Sequence, residues 1–227
     1  MKILSIAAHP DDEVLGCGGA MAKWSSDGAE VHSLIMAEGA TSRDKSRDRE
    51  SRKADLTHLA QASQKAGDIL GIASVRLLSY PDNRMDSVDL LEVVKSVEEQ
   101  IEKIKPEVVV THHSADLNID HQVIHEAVMT ACRPQPGHSV KRILSFEVPS
   151  STEWQSPKFG NSFIPNWFED ITGMLELKIS ALEAYESEMR EWPHARSIKA
   201  VEHLAHWRGA SIGREAAEAF ILERAIN

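Results

Sequence analysis

The alternation of short apolar runs with longer segments of helical spacing limits the fold of this chain more than any other feature. Four times before residue 134 an apolar run is followed by such a segment, and a fifth apolar run comes after them. Strands that alternate with helices of this length form βαβ units with right-handed crossovers. The sequence therefore predicts an α/β fold with a Rossmann-like, mostly parallel sheet and helices on both faces. The predicted strands are residues 2–8, 30–37, 74–80, 106–112 and 141–150, and the predicted helices are residues 14–28, 47–70, 87–104 and 120–133.

The last third of the chain departs from this alternation. An irregular stretch rich in Ser, Pro, Asn and aromatic residues follows residue 150 and predicts a long loop at the rim of a site. Helical spacing then returns in residues 170–192 and 195–224, and we expect a break in the second of these near residues 209–213. With 227 residues and no internal repeat, the chain is expected to form one domain over residues 1–227. The C-terminal helices are the last part of that domain.

Charge and cysteine content exclude several classes of protein. The formal net charge of -10 argues against a binder of nucleic acid, which clusters Lys and Arg on one face, while a nucleotide or sugar phosphate held by local arginines stays compatible with it. Cys17 and Cys132 cannot form a disulfide framework or a cysteine zinc site, and they suit a reducing compartment. The first apolar run is too short for a membrane span and lacks a signal-peptide cleavage region, so we expect a cytoplasmic location.

The first loop, HPDDE, places a histidine and three carboxylates directly behind an apolar strand. Ligands of parallel sheets bind at the carboxyl ends of the strands, and the loops that begin at His9, Glu38, Pro81 and His112 all leave from those ends. Because neighbouring carboxylates repel one another and resist burial, a bound cation is expected among them.

Residues of two loops have the types and the spacing of a metal site. His9 and Asp12 are three residues apart on a turn, so both side chains can approach one point while Asp11 faces another way. The second cluster, THHSADLNIDHQVIH (residues 111–125), can deliver a further histidine to that point. Two imidazoles, one carboxylate and an open position for water describe a catalytic zinc site. Asp11 is then the candidate for proton transfer.

Together AHPDDEVLGCGG and DLNIDH resemble the N-acetylglucosaminyl-phosphatidylinositol de-N-acetylase family, also called PIG-L or LmbE-like, whose members are zinc-dependent deacetylases of N-acetylated amino-sugar conjugates. SYPDNRMD, DITGMLELKISALEAYESE and RGASIGREAAEAF are similar to further family motifs, so the resemblance extends over nearly the whole chain. It implies that His9, Asp12 and His121 bind the metal, that Asp11 is the general base, and that Asp120 orients groups around the metal. The implied metal is Zn²⁺, although the same ligands accept Fe²⁺, Mn²⁺ or Co²⁺.

The second motif departs from the family pattern at one position. Many members have His-x-Asp-His there, and the first histidine stabilises the oxyanion or protonates the leaving group, but this chain has Asn118. Asparagine can donate a hydrogen bond to an oxyanion but cannot supply a proton. Either Asp11 carries out both proton transfers, or His113 reaches in from the same loop.

The resemblance also places the sugar-binding residues of the family at Arg43, Arg49, Asp82 and Asn83. The arginine fork could hold hydroxyls or a phosphate. We therefore expect the partner to be a small amino-sugar conjugate, with a nucleotide sugar as one form of it. The sequence leaves open whether the chain forms a homo-oligomer.

Other interpretations of these motifs are open. The acids of HPDDE could compensate a helix dipole, and GCGG could belong to a dinucleotide loop, although Met21 stands where a third glycine is needed and the acids would repel a pyrophosphate. A metal-dependent amidase for a different N-acyl substrate would carry the same motifs. Because Asn118 replaces a proton donor, a non-catalytic carbohydrate-binding relative is a third possibility.

Overall fold

The computed structural model describes residues 1–156 and 162–227. Its strands are β1 (Lys2–Ala7), β2 (Glu30–Ala37), β3 (Ser74–Tyr80), β4 (Val108–His112), β5 (Arg142–Phe146), β6 (Trp167–Asp170) and β7 (Ala217–Ala225). They form one sheet of seven strands in the order β3-β2-β1-β4-β5-β7-β6. Pairing is parallel from β3 through β5, and β7 runs antiparallel to both β5 and β6. The mostly parallel α/β sheet that the sequence predicts is confirmed.

Helices cover both faces of the sheet, as predicted. They are α1 (Asp12–Ser26), α2 (Lys53–Leu70), α3 (Leu90–Ile104), α4 (Ile119–Ala131), α5 (Leu175–Glu183) and α6 (Ile198–Ala210). Side chains of α1, α2, α5 and α6 pack on one face of the sheet around Ile3 and Val110, and side chains of α3 and α4 pack on the other face around Leu4 and Val109. The central strands are buried on both faces, which explains why they read as continuous apolar runs.

The helix predicted over residues 195–224 is wrong beyond residue 210. Helix α6 ends at Ala210, the chain turns through Gly213 at φ +71°, and Ala217–Ala225 forms β7 inside the sheet. Because β7 lies between two strands, its first four residues are all buried, and such a short apolar run has no periodicity that separates a strand from a helix.

The helix predicted over residues 170–192 is also too long. Its first residue belongs to β6, and α5 spans only Leu175–Glu183. Part of the stretch that was expected to be irregular, Trp167–Asp170, pairs with β7 as an edge strand.

The glycines of GCGG allow the start of α1 to pack closely on its neighbours. A Cβ atom at Gly16 would lie 2.2 Å from the ring of Phe146, and one at Gly19 would lie 2.7 Å from Ile171. The glycines therefore have a packing role here, which accounts for them without a dinucleotide.

Helix α1 kinks at Cys17, where φ is -146°, and a buried ion pair binds the main-chain groups that the kink leaves unpaired. The Glu218 carboxylate accepts hydrogen bonds from the backbone N–H groups of Gly19 (3.0 Å) and Ala20 (2.7 Å). Lys178 Nζ donates to the Leu15 carbonyl oxygen (2.8 Å) and to Glu218 Oε1 (2.6 Å). The pair thus binds main-chain groups on both sides of the kink at Cys17.

Within the described part of the chain, no helix has both the length and the apolar character needed to cross a bilayer.

Candidate metal centre

A cavity of about 220 Å³ opens at the carboxyl ends of the parallel strands. The loops after β1, β2, β3, β4 and β5 contribute to its wall, and the segment between α5 and α6 completes it with Glu188, Arg190 and Arg196. A larger and more open groove of about 800 Å³ runs between α2 and β3, but the candidate metal ligands lie in the smaller cavity. The crevice that the sequence predicts is thus where the loops converge.

The turn after β1 brings His9 and Asp12 together. The His9 backbone N–H donates to Asp12 Oδ2 (2.9 Å), and His9 Nδ1 lies 3.1 Å from the same oxygen. Between them Asp11 has φ +121°, a left-handed conformation that costs free energy in a residue with a Cβ. Glu13 holds this conformation, because its Oε2 accepts the Asp11 backbone N–H (3.2 Å) while its Oε1 accepts the hydroxyl of Tyr185.

The first turn of α4 brings His121 to the same point. Its Nε2 lies 3.1 Å from Asp12 Oδ2, and its Nδ1 lies 3.1 Å from Oδ1 of the buried Asp116. Asp116 is itself held by the Ser151 and Thr152 hydroxyls and by the Asn118 backbone N–H (2.9 Å). Nothing in the sequence analysis singled out Asp116, and the signal that could have found it is its position in the same acidic loop, five residues before His121.

Asp120 has the corresponding position beside His9. His9 Nε2 lies 3.1 Å from Asp120 Oδ2, and the two carboxylate oxygens accept the backbone N–H groups of Asn83 (2.7 Å) and Met85 (2.9 Å). Each imidazole therefore has a carboxylate on its outer nitrogen and presents its inner nitrogen to Asp12. Carboxylates in such positions fix the tautomer and the orientation of metal-binding histidines.

The three inner side chains fit a divalent cation. Ligand atoms of His9, Asp12 and His121 lie within 4.8 Å of one another. Both ring nitrogens of His121 are buried, and neither makes a well-aligned hydrogen bond within the described residues. Two imidazoles and a carboxylate are a donor set that zinc and several other divalent metals accept.

A second group, His9, Asp82 and Asp120, also meets the distance condition. Its carboxylates are already engaged, since Asp82 Oδ2 accepts the Ser42 backbone N–H (2.9 Å) and Asp120 accepts two further backbone N–H groups. The first group is the better candidate, because it includes His121, whose two buried ring nitrogens have no hydrogen-bond partner within the described residues.

Burial and charge shift the pKa values of this cluster strongly. Burial opposes protonation of His121, but the charges of Asp12 and Asp116 outweigh it and raise the pKa of His121 to about 9. Burial likewise opposes ionisation of Asp12, but His121 and His9 hold the pKa of Asp12 well below its usual range. The cluster thus favours a positive charge at its centre, which is the property that a cation site needs.

The Asp11 carboxylate lines the cavity and meets an arginine that no sequence motif marks. Arg196 Nη1 lies 3.1 Å from Asp11 Oδ2. Burial, together with repulsion from Asp12, raises the pKa of Asp11 well above its usual range, although Arg196 opposes that rise. Arg196 lies in the segment between α5 and α6, 185 residues away along the chain, and no local motif links the two.

Three of the four predicted sugar-binding residues line the cavity. Arg43, Asp82 and Asn83 do so, and the Nη2 of Arg43 contacts both carboxylate oxygens of Glu188, at 2.6 and 2.9 Å. Arg49 instead faces the groove between α2 and β3 and lies 2.8 Å from the buried Glu38.

The two predicted oxyanion donors differ in their surroundings. Asn118 lines the cavity and caps α4, since its Oδ1 accepts the Asp120 backbone N–H (2.9 Å). His113 is buried and is not part of the cavity wall. Its ring packs edge-on against the ring of Phe163, with the ring centroids 5.4 Å apart. Its neighbour His112 stacks on His121, with ring centroids 3.8 Å apart, and its Nε2 accepts the Ala8 backbone N–H (2.8 Å).

Fold and site together define an α/β protein with a candidate divalent-metal centre at the carboxyl edge of its sheet. The model of the PIG-L family, described as GlcNAc-PI de-N-acetylase, matches residues 4–132. The chain belongs to the PIG-L family.

Known relatives agree with this assignment, and a solved structure shares the fold. YaiS of Escherichia coli K12, an uncharacterized deacetylase, is 31% identical over 191 residues, which are 82% of this chain and 90% of that protein. The diacetylchitobiose deacetylase of Thermococcus kodakarensis is 27% identical over 217 residues, 87% of this chain and 76% of that protein. The crystal structure of GalB, the 4-carboxy-2-hydroxymuconate hydratase of Pseudomonas putida KT2440, has a TM-score of 0.77 at 22% identity and covers 100% of this chain and 97% of its own. The relative from Thermococcus kodakarensis is thus a deacetylase of an N-acetylated sugar, whereas the structure from Pseudomonas putida shows the same fold in a hydratase.

Proposed function

We propose that this protein is a metal-dependent hydrolase that removes the N-acetyl group from an N-acetylated amino sugar or amino-sugar conjugate. The observation that carries the proposal is the convergence of His9, Asp12 and His121 on one point with Asp11 beside it. Family membership supports the reaction, and the diacetylchitobiose deacetylase supports the class of substrate.

His9, Asp12 and His121 would hold the metal, with zinc as the first choice and Fe²⁺, Mn²⁺ or Co²⁺ as alternatives. Bound there, a divalent ion supplies Lewis acidity, which polarises the acyl oxygen and lowers the pKa of a water molecule. Asp120 and Asp116 keep the two imidazoles oriented through their outer nitrogens.

Asp11 is the proposed general base. As the water oxygen bonds to the acyl carbon, Asp11 takes the proton that the water loses, and it then returns a proton to the nitrogen as the C–N bond breaks. The products are the free amine and acetic acid, which gives up its proton to become acetate. The raised pKa of Asp11 suits both transfers, because a base that must also serve as an acid needs a pKa near the working pH.

The wall of the cavity would bind the sugar. Arg43, Asp82 and Asn83 line it and offer a guanidinium, a carboxylate and an amide to hydroxyl groups. We leave Arg49 out of this set because it pairs with Glu38 at the other groove.

Acetate release tests the proposal. The zinc-loaded protein should release acetate from diacetylchitobiose, N-acetylglucosamine or a nucleotide-linked N-acetylhexosamine, lose the activity on chelation and regain it with zinc. Asp11→Asn should lower kcat by about 10²- to 10⁴-fold, the usual contribution of a general base, while the metal content stays the same.

Asp27→Asn is the matched control, since Asp27 lies at the exposed end of α1 and pairs only with Lys23 within the described residues. Near-native turnover by Asp11→Asn would refute the role of Asp11. Release of a different acid from other N-acyl compounds would replace the substrate class, and sugar binding without any product would support a non-catalytic relative.

A further inference from the structure

The proposed reaction needs a donor for the negative oxygen of the tetrahedral intermediate, and the two candidates from the sequence are poorly placed for it. Asn118 Nδ2 donates to Asn83 Oδ1 at 2.6 Å and its Oδ1 caps α4, so only one neutral N–H group is left to it. The ring of His113 packs on Phe163 outside the cavity wall.

Arg196 lines the cavity together with the three metal-ligand candidates. Its Nη1 lies 3.1 Å from Asp11 Oδ2, which places the guanidinium beside the proposed base. Its Nε is buried and has no hydrogen-bond partner within the described residues. A buried guanidinium N–H without an acceptor is costly, and a ligand that supplies an oxygen would remove that cost.

Two hydrogen bonds hold the main chain of Arg196 in place. Its backbone N–H donates to His194 Nδ1 (3.1 Å), and its carbonyl oxygen accepts the Arg190 backbone N–H (3.2 Å). These bonds fix the main chain at residue 196, and the contact with Asp11 positions the guanidinium. A donor that is positioned before the reaction needs little reorganisation during it, which is the condition under which such donors are effective.

The other two arginines of the cavity wall pair with groups other than Asp11. Arg43 binds both carboxylate oxygens of Glu188. Arg190 Nη1 donates to the carbonyl oxygens of Ser187 (2.9 Å) and Met189 (3.0 Å). Within the described residues, Arg196 is therefore the arginine whose guanidinium meets the proposed base.

We propose that Arg196 is a catalytic residue that donates a hydrogen bond to the acyl oxygen of the substrate, in the role that a histidine has in the usual second motif of the family. The inference rests on the proposed function. As the water oxygen bonds to the acyl carbon, the electron pair of the C=O bond moves to the oxygen, and the guanidinium donates to it while keeping all its protons. The amine then receives its proton from Asp11, so Asn118 need not supply one.

Kinetics of Arg196 variants test this role. With the acetylated sugar that the wild type hydrolyses best, Arg196→Ala should lower kcat by about 10²- to 10³-fold, the usual effect of removing one oxyanion donor, with KM changed less than about threefold. Arg196→Lys should retain part of the activity, and added guanidinium ion should partly rescue Arg196→Ala. Arg214→Ala is the matched control, since it removes an exposed arginine that pairs with an aspartate, Asp170, at 3.2 Å.

A binding measurement separates a donor to the substrate from a residue that only holds Asp11. In an Asp11→Asn background, Arg196→Ala should weaken binding of a methylphosphonamidate of glucosamine, a tetrahedral anion, by at least tenfold, while metal content and thermal stability stay unchanged. The inference would be overturned if Asp11→Asn and the Asp11→Asn, Arg196→Ala double variant bound the phosphonamidate equally well, or if Arg196→Ala left kcat unchanged. Either result would leave the proposed function intact. If the wild type releases no acetate from any amino sugar, the proposed function fails and the inference falls with it.

Discussion

Asp116 offers a sharp test of how the second loop supports the metal centre. The residue is buried, and its carboxylate lies against His121 Nδ1 (3.1 Å), the Ser151 and Thr152 hydroxyls and the Asn118 backbone N–H. In Asp116→Asn the side-chain oxygen can still face His121 and Asn118, while the new amide group faces Thr152, whose hydroxyl can accept from it. The substitution thus removes the charge and keeps the shape.

The expected loss in metal affinity follows from that charge. When His121 holds the metal through Nε2, its Nδ1–H would donate to residue 116. Such a hydrogen bond contributes about 1.5–3 kcal/mol when the acceptor is ionised and about 0.5–1.5 kcal/mol when it is neutral, a difference of about 1–1.5 kcal/mol. Since about 1.4 kcal/mol corresponds to a factor of ten, Asp116→Asn should weaken zinc binding about tenfold. Asp116→Ala would leave several buried donors without acceptors, at about 1–3 kcal/mol each, so we expect it to unfold far more easily.

Competition with a chromophoric zinc chelator at fixed pH measures the affinity, and thermal unfolding in excess chelator shows whether the metal-free fold is intact. Asp120→Asn is the matched comparison, because it makes the same change beside His9. Ser151→Ala removes a donor to Asp116 without touching His121 and should change zinc affinity less than Asp116→Asn does. If Asp116→Asn binds zinc as tightly as the wild type while its fold is intact, the orientation argument for His121 is refuted.

Two further predictions concern stability. Lys178→Met leaves the Glu218 carboxylate buried without its cation, so the free energy of unfolding should fall by about 3–5 kcal/mol. Adding Glu218→Gln should recover part of this loss. If urea denaturation finds no loss in Lys178→Met, the account of the α1 kink is contradicted. Burial opposes ionisation of Glu38, but hydrogen bonds from Arg47 and Thr41 hold its pKa below the usual range, so the unfolded chain takes up the proton first as the pH falls. The stability that ionised Glu38 adds is therefore present above about pH 4.3, the unperturbed pKa of glutamate, and declines below it. In urea denaturation Glu38→Gln should be less stable than the wild type by about 1–2 kcal/mol at pH 7, and this difference should shrink at pH 4. A difference that stays constant between the two pH values would contradict the role given to ionised Glu38.

The parallel part of the sheet could be predicted because β1, β2, β4 and β5 are almost wholly buried and read as apolar runs, with segments of helical spacing between them. β7 could not be predicted, because its buried start, AEAF, is too short to show a period of its own and comes only a short turn after helix α6. Its position is set by the sheet edge beside β5, with which it pairs over residues 142–146. Pairing of this kind joins residues about 80 positions apart, and a local pattern contains no information on it.

The residues of the candidate site likewise fall into those that a local motif could predict and those that it could not. His9, Asp12 and His121 stand in compact motifs on loops whose position follows from the βαβ order, and they are the residues that the structure brings together. Arg196 stands in a segment without regular structure, and its approach to Asp11 depends on where α5 ends. The predicted helices over residues 170–192 and 195–224 included most of that segment, which lies between Glu183 and Ile198, so the wall that it forms was not predicted.

The structural match to a hydratase shows why that wall matters for the reaction. The fold is shared by a hydratase and, in this family, by deacetylases, so the sheet and the crevice cannot by themselves select the chemistry. Hydration of a double bond ends with a proton on carbon, whereas deacetylation ends with a proton on the leaving nitrogen. A cavity serves the second reaction when a buried carboxyl can carry a proton from water to nitrogen while a separate donor holds the acyl oxygen. The proposed deacetylation assigns these two roles to Asp11 and Arg196, which adjoin each other at 3.1 Å in the cavity wall.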